Sequence, residues 1–447
     1  MKFLKYIIST ILIGYYVFLM YLLGSIGLYN NKYILLISVL ILVFILLLVC
    51  LIFELKNKIK ILCYIIGIVF LLTILVISYY LNNTLVFINS PGKVIKNYDN
   101  YYELSLKDGI SNGKTGILDE MFISENSYLY EDRYELLDDF LNKKIDTIII
   151  SDVDMYFIEN EDKNFINKIK VIDIIKQEKE KVKYTTKEIT NESFIIYISG
   201  IDTDGVISKV SRSDVNIIMA VNPNTHQILL VNIPRDYYVN LHGKNAKDKL
   251  THAGLYGVDT SIKTIEDLLN INVNYYIRIN FDSVIKVVDE IGGIDITSDQ
   301  DLNFCNIKKG INHVDGKCAL KYARERKSYQ SGDRHRGENQ QQIIKAVLNK
   351  VKNNKLLIFK YPKVLNKLKD KYETNIKNDD IKDFIKNEIK YLPKWSIKSY
   401  NLNGSDSKNY TYSMGKKRML YVMEPDYNTV LKAKELINDV LNNKEIK

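Results

Sequence analysis

Apolar positions dominate the start of the chain and then break into short runs. Residues 6–29, 33–53 and 59–81 form three stretches almost free of charge. As a helix, each is long enough to cross the roughly 30 Å of hydrocarbon in a bilayer. No cleavage site follows the first run, so the three read as anchors and not as a removable signal peptide. From residue 91 to about 191 the runs "KTGILDEMFI", "DTIIISDVDMYFI" and "KVIDIIKQ" alternate with polar, helical stretches such as "EDRYELLDDFLNKK". That alternation predicts a small α/β unit. Asp152 and Asp154 in "SDVD" close a strand-like run and read as a helix cap or turn, the alternative being a metal site. The charged run "KQEKEKVKYTTKEITNE" is a linker or an exposed helix and marks the next boundary.

A larger unit opens at Phe194. "FIIYISGID" predicts a strand ending at Asp202, and "DVNIIMAVNPNTHQILLVNIPRD" a hairpin turning at "NPNTHQ". The helix "DTSIKTIEDLLN", the strand "NYYIRINF", the helix "FDSVIKVVDEIGG" and the short strand "IDIT" follow, then helices in "CALKYARER" and "NQQQIIKAVLNKV". Strands interleaved with amphipathic helices imply a sheet covered on both faces.

Charge sets the orientation. Lys2 and Lys5 precede the first apolar run and Lys56, Lys58 and Lys60 separate the second from the third, whereas only Lys32 lies between the first two. By the positive-inside rule the N-terminus and the second link are cytoplasmic, and everything after about Leu81 is extracytoplasmic. The net charge of +9 is spread over 447 residues. An exported, lysine-rich surface of this kind is solvated and has no nucleic-acid partner. The choice of cation is more informative: nine are Arg against 53 Lys, and seven of those nine fall between Arg212 and Arg336. Arg in a lysine-biased chain points to a planar, two-pronged grip on phosphate or carboxylate. Cys50 and Cys63 fill apolar runs, whereas Cys305 and Cys318 flank the turn-rich "NIKKGINHVDGK". An oxidising exterior permits a disulfide there; the alternative is two unrelated thiols.

Four clusters put Arg beside an acidic residue at the ends of apolar elements: Asp202 with "SRSD" (Arg212, Asp214), "IPRD" (Arg235, Asp236), "ARER" (Arg324, Arg326), and "GDRHRGENQQ" (Asp333, Arg334, Arg336, Gln340). Singly, each is readable as a local ion pair. In open α/β sheets such termini converge on the ligand crevice. The last cluster loads cations onto a helix start, where the macrodipole disfavours them unless an anion docks.

The segments "RSDVNIIMAVNPNTHQILLVNIPRD", "KLTHAGLYG", "GKCALKYARER" and "GDRHRGENQQQII" resemble the LytR–CpsA–Psr family over residues 194–351, and "YSMGKKRMLYVMEPDY" is similar to the C-terminal segment of its CpsA-type branch. The fold this implies is α/β, with a three-helix anchor (1–85), a small α/β accessory domain (91–191) and a larger α/β/α catalytic sandwich around a mixed sheet (192–447) ending in a helical extension. The activity implied is transfer of a glycan polymer from an undecaprenyl-pyrophosphate carrier to cell-wall peptidoglycan through a phosphodiester. The resemblance makes Asp202 and Asp214 ligands of Mg²⁺ or Mn²⁺. It assigns the pyrophosphate to Arg212, Arg235, Arg324, Arg326, Arg336 and Gln340, with Asp333 beside the clamp. Arg212, Arg235, Asp333 and Arg336 are thereby the expected catalytic set. Lys249 or His252 belongs to a supporting layer, and Asn339 stands where many members have Arg. Ile217, Met219, Val231, Ile233, Phe281, Val284 and Val288 line a lipid groove or are core. Two alternatives stay open: a hydrolase that cleaves lipid pyrophosphate, and a membrane-anchored regulator without catalysis.

Overall fold

A computed structural model describes residues 2–25, 32–54, 57–88, 98–109, 113–178, 182–201, 207, 210–330, 332–354, 357, 363–364, 367–368 and 371–446. Helices α1 (Lys2–Ser25), α2 (Lys32–Glu54) and α3 (Asn57–Ile88) contain windows Lys5–Ser25, Leu35–Phe53 and Ile61–Tyr79 that are long and apolar enough to cross a membrane. They pack around Leu12, Leu19, Leu22, Ile45, Ile74 and Leu81. Leu36, Leu47, Val69 and Leu72 face outward. A helix apolar on every side suits lipid as its surroundings.

The small unit runs β1 (Tyr98–Leu106), β2 (Thr115–Ile117), β3 (Ser127–Leu129), α4 (Arg133–Leu141), β4 (Thr147–Ser151), α5 (Asp152–Glu161), α6 (Phe165–Lys168) and β5 (Ile169–Glu178). Its sheet has the order β3-β2-β4-β1-β5 over a core that includes Leu104, Leu136, Phe140, Ile148 and Ile158. The acidic pair caps a helix, as expected: Asp154 forms a reciprocal capping box with Ser151, and Asp152 accepts from the Asn100 amide at 2.8 Å.

The larger unit begins with β6 (Phe194–Ile201), β7 (Ser213–Asn222) and β8 (Gln227–Asn232), then the small pair β9 (Tyr238–Asn240) and β10 (Lys247–Lys249). Helices α7 (Leu250–Ala253) and α8 (Val258–Leu269) lead into β11 (Tyr275–Asn280) and α9 (Phe281–Glu290). Next come β12 (Ile294–Ser298), β13 (Gly310–Val314), α10 (Gly316–Arg324) and α11 (Asp333–Asn353). After β14 (Tyr372–Thr374) and the helix Asn378–Tyr391, β15 (Ser396–Asn401), β16 (Gly404–Thr411), β17 (Gly415–Pro425) and the helix Tyr427–Leu441 complete it.

The central sheet is six-stranded and mixed, in the order β14-β11-β6-β7-β8-β15. Period-two alternation decides its faces. Ile195, Tyr197, Ile218, Ala220, Leu229 and Val231 pack with α8 and the helix Tyr427–Leu441. Ile196, Ile198, Ile217, Val221, Ile228 and Leu230 pack the other way, against Ile344, Leu348 and Phe384. Helices on both faces make this the expected sandwich.

Two expectations need correcting. The segment after Val351 is more than a helical extension: it supplies both edge strands of the central sheet, β14 and β15, and the antiparallel hairpin β16–β17. The loop "NIKKGINHVDGK" contains β13, paired with β12. Cys305 and Cys318 are joined, their Cα atoms 6.0 Å apart, which ties that loop to α10.

Candidate functional site

Strand directions bring the site together. β6 and β11 are parallel, β7 runs against β6, and β8 and β15 run parallel to each other and against β7. The carboxyl ends of β6, β8, β11 and β15 therefore share one edge with the start of β7. A cleft of about 490 Å³, including space open to solvent, lies there. Asp214 lines it from β7, Asn232 to Asp236 from the end of β8 and the turn after it, Arg334, Arg336, Gly337, Glu338 and Gln340 from α11, Asn401 to Asn403 from the end of β15, and Met423 from β17.

Asp214 is buried at its foot. One carboxylate oxygen accepts from Arg235 Nη1 at 2.8 Å and the other from Thr251 Oγ1 at 2.9 Å. Burial works against ionisation, but the charges of Arg235, Arg336 and Arg212 outweigh it and hold the carboxyl below its ordinary value of 3.8. A depressed carboxylate adds stability above its unfolded pKa and loses it as pH falls through the folded one. Asp214 is therefore ionised at neutral pH, and its contribution fades only below about pH 4. Arg235 is held in turn: its Nε lies 3.6 Å from Asp236, whose other oxygen is 2.6 Å from Lys249 Nζ. Its carbonyl accepts from the Thr251 N–H at 2.8 Å. Lys249 is thus a support for Arg235, the layer expected of it.

The cations at the start of α11 divide by partner. Arg334 donates to the Gly404 carbonyl at 2.9 Å and to Asp406 at 2.7 Å, reaching into the hairpin. His335 stacks on Tyr329 with ring centroids 3.5 Å apart. Arg336 directs its charge at Asp214. Farther along α11, Gln341 holds the helix to the sheet: its amide donates to the carbonyls of Leu230 at 2.9 Å and Tyr400 at 3.0 Å. Gly337 allows the close approach, since a Cβ there would lie 2.7 Å from Asn232 Nδ2. In Gly337→Ala a helix-propensity gain of about 1 kcal/mol offsets part of an overpacking cost of about 1–3 kcal/mol. The melting temperature is expected to move little. Displacement of Arg336 and Gln340 should weaken the hold on a docked phosphate about fivefold, which calorimetry with inorganic pyrophosphate checks.

The structure thus brings together Asp214, Arg235, Arg336 and Gln340, with the charge of Arg212 acting on Asp214. Arg324 and Arg326 are exposed around the end of α10 and do not line the cleft. Asp202 and the side chains of Asp333 and Phe281 lie outside the described residues. Asn339 is buried and donates to the Tyr322 carbonyl at 3.1 Å, joining α11 to α10. Ile217, Val231 and Val288 belong to three separate cores, so these positions are packing and line no common groove. His252 is buried and unsuited to a nucleophilic relay. Asp248 and Ser413 both lie against the same ring nitrogen, Nδ1, at 2.7 and 2.8 Å. A relay uses the two nitrogens separately.

Among the described residues no group of three His, Cys, Asp or Glu side chains could hold a metal ion. Asp214, ionised with one hydrogen bond on each oxygen, suits a cation held mainly by phosphate oxygens and water. Sequence reasoning missed Thr251, Gln341, Asn401 and Asn403; only the neighbourhood of "KLTHAGLYG" and "NQQQ" pointed near the first two.

An α/β sandwich with arginines and a buried carboxylate at its carboxyl edge defines an anion-gripping protein built for phosphate chemistry. The chain belongs to the LytR_cpsA_psr family, whose model matches residues 163–427. It is 34% identical over 206 residues to the polyisoprenyl-teichoic acid–peptidoglycan teichoic acid transferase TagU of Bacillus mycoides, covering 45% of this chain and 67% of that protein. The TagU of Bacillus subtilis is 33% identical over 236 residues, covering 51% and 75%. The crystal structure of Bacillus subtilis TagV is 29% identical, with a TM-score of 0.47, covering 56% of this chain and 98% of that one.

Proposed function

We propose that this chain is a membrane-anchored phosphotransferase. It moves a glycan polymer, such as capsular polysaccharide or teichoic acid, from an undecaprenyl-pyrophosphate carrier to cell-wall peptidoglycan. The observation that supports this best is the convergence of Arg235, Arg336 and Arg212 on Asp214 beside an open cleft. Phosphoryl transfer asks the protein mainly to neutralise charge and fix in-line geometry, which guanidiniums on rigid strand ends can do. An acceptor sugar hydroxyl attacks the phosphorus that bears the glycan. The P–O–P bond breaks, polyprenyl phosphate leaves, and the hydroxyl proton passes to solvent or to a nearby carboxylate. The product is a glycan–peptidoglycan phosphodiester. In the same reading Asp214, with Asp202, would hold Mg²⁺ or Mn²⁺, which when bound neutralises phosphate charge.

The topology belongs to the proposal: N-terminus cytoplasmic, catalytic unit extracytoplasmic, with the donor reaching the cleft from the outer leaflet. An alkaline phosphatase fused to the C-terminus is expected to be active. Inactivity there, with a cytoplasmic reporter active at the same point, would reject the arrangement. Incubation of the full chain with lipid-linked glycan and muropeptide tests the chemistry. Acceptor-dependent release of polyprenyl phosphate is expected, and release indifferent to acceptor would favour the hydrolase.

A further inference from the structure

The helix Asn378–Tyr391 ends in a corner that the proposed chemistry does not use. Ile385 from its middle and Val351 from the end of α11 pack against the cluster formed by the membrane helices, so this face of the sandwich abuts the anchor. Tyr391 lies six positions beyond Ile385, roughly 9 Å along a helix rising 1.5 Å per residue. Leu392 then turns the chain in the left-handed region, with φ 47°. Tyr391 and Leu392 are 62% and 51% exposed, large apolar side chains projecting next to a lipid-facing bundle.

The exposed charged residues that flank them in the chain are both lysines. Lys390 Nζ lies 4.6 Å over the Tyr391 ring, and Lys394 follows, exposed. The neighbouring acids are engaged elsewhere. Glu388 is buried and accepts from Trp395 Nε1 at 2.9 Å, and Asp383 pairs with Lys386 at 3.2 Å. An aromatic and an aliphatic side chain flanked by lysines match the headgroup layer of a bilayer, where aromatic rings settle and cations meet anionic lipid.

We propose that Tyr391, Leu392, Lys390 and Lys394 form a second membrane contact that rests on anionic phospholipid beside the anchor and keeps the catalytic sandwich against the bilayer. The contact follows from the packing against the bundle and the composition of the corner, and it does not depend on the transferase reading. It deepens the role of the anchor: three spans alone tether the domain, and the corner would fix how its sheet is tilted over the surface.

The single tryptophan of the chain, Trp395, makes the test clean. The full chain is reconstituted in nanodiscs of phosphatidylglycerol with brominated acyl chains. On a Trp395→Phe background, Leu392→Trp is compared with Leu431→Trp, an exposed position on the helix that covers the opposite face of the sheet. The probe at 392 is expected to lose roughly half its emission and the probe at 431 almost none. Quenching at 392 should fall about twofold in phosphatidylcholine discs, or when Lys390→Gln and Lys394→Gln are combined. Equal quenching at both positions, or quenching at 392 that ignores headgroup charge, would overturn the proposal. If Trp395→Phe does not fold, Trp395 itself serves as the probe, since it lies three residues beyond Leu392. Its emission is expected to be quenched in the parent and restored in Leu392→Asp, and no difference between the two would count against the contact.

Discussion

Replacing Asp214 by alanine is expected to abolish transfer while the sandwich survives in weakened form. The carboxylate is buried and balances Arg235 directly and Arg336 and Arg212 through space. Removing one partner of a buried pair costs about 3–5 kcal/mol, because the remaining charge has lost its solvent as well as its counter-charge. That cost appears as a lower melting temperature. The loss in the reaction is a separate quantity: a transition-state interaction of comparable size, about 3–5 kcal/mol, is roughly a hundred- to several-thousandfold in rate at about 1.36 kcal/mol per decade. Asp214→Asn separates the two effects. The amide keeps the shape and can still accept from Thr251 or Arg235, so most of the stability should return. It lacks the negative charge that orients the guanidiniums and would help hold Mg²⁺, so turnover should stay low. Donor affinity, measured by calorimetry, should hold or rise, because three arginines without their carboxylate attract an anion more strongly. Turnover of Asp214→Asn within threefold of the parent would remove this residue from the chemistry. EDTA treatment of the parent, with residual metal checked by elemental analysis, gives the companion result: loss of turnover, restored by Mg²⁺.

The second large effect is expected at Arg336, through the difference between Arg and Lys. Were Arg336 a solvated surface cation, Arg336→Lys would be nearly silent, since exposed charge contacts are worth little. In the folded chain it lines the cleft and acts on Asp214. A guanidinium that holds a pyrophosphate through two parallel N–H donors cannot be reproduced by an ammonium. The cost of that change is on the order of 1.5–3 kcal/mol, the range for a hydrogen bond to a charged group. This is roughly a ten- to hundredfold loss in transfer efficiency, with Arg336→Ala losing more. Stability should change little in Arg336→Lys, because the charge that faces Asp214 is kept. Arg418→Lys is the control. Arg418 pairs with Glu161 at 2.8 Å on an exposed surface away from the cleft. Activity within twofold of the parent for both Arg336 variants would remove this side chain from the site.

What the sequence made legible follows from physics that is local along the chain. The strands β6, β7 and β8 alternate or run apolar without interruption. Asp214, Arg235 and Arg336 stand at or just beyond element ends, where an arginine in a lysine-rich chain is conspicuous. The wall of the cleft built from Asn401 to Asn403 was not legible. Its strand, "SIKSYN", lies at the sheet edge and is half-polar, so its period is faint until β8 is known to lie beside it. The hairpin β16–β17 is polar throughout one strand, and its importance rests on Asp406, which meets Arg334 across 72 residues. Gln341 looks like one of three identical neighbours in "NQQQ", and only the fold shows which of them meets the carbonyls of β8 and β15. The arginines of "ARER" differ: the same residue type at a helix end, exposed and not among the residues that line the cleft. The apolar positions read as a possible lipid groove could not be assigned from period alone, since alternation places Ile217 and Val231 on opposite faces of one sheet.

The most direct test of the central claim follows the phosphorus. A donor labelled at the phosphorus that bears the glycan is incubated with the full chain, a divalent cation and peptidoglycan fragments. The label is expected in a phosphodiester between glycan and acceptor, with unlabelled polyprenyl phosphate released in equal amount, and neither should appear with Asp214→Asn or Arg336→Ala. Label recovered as a free glycan phosphate in the same yield with and without acceptor, or a donor left intact by the parent, would contradict the account.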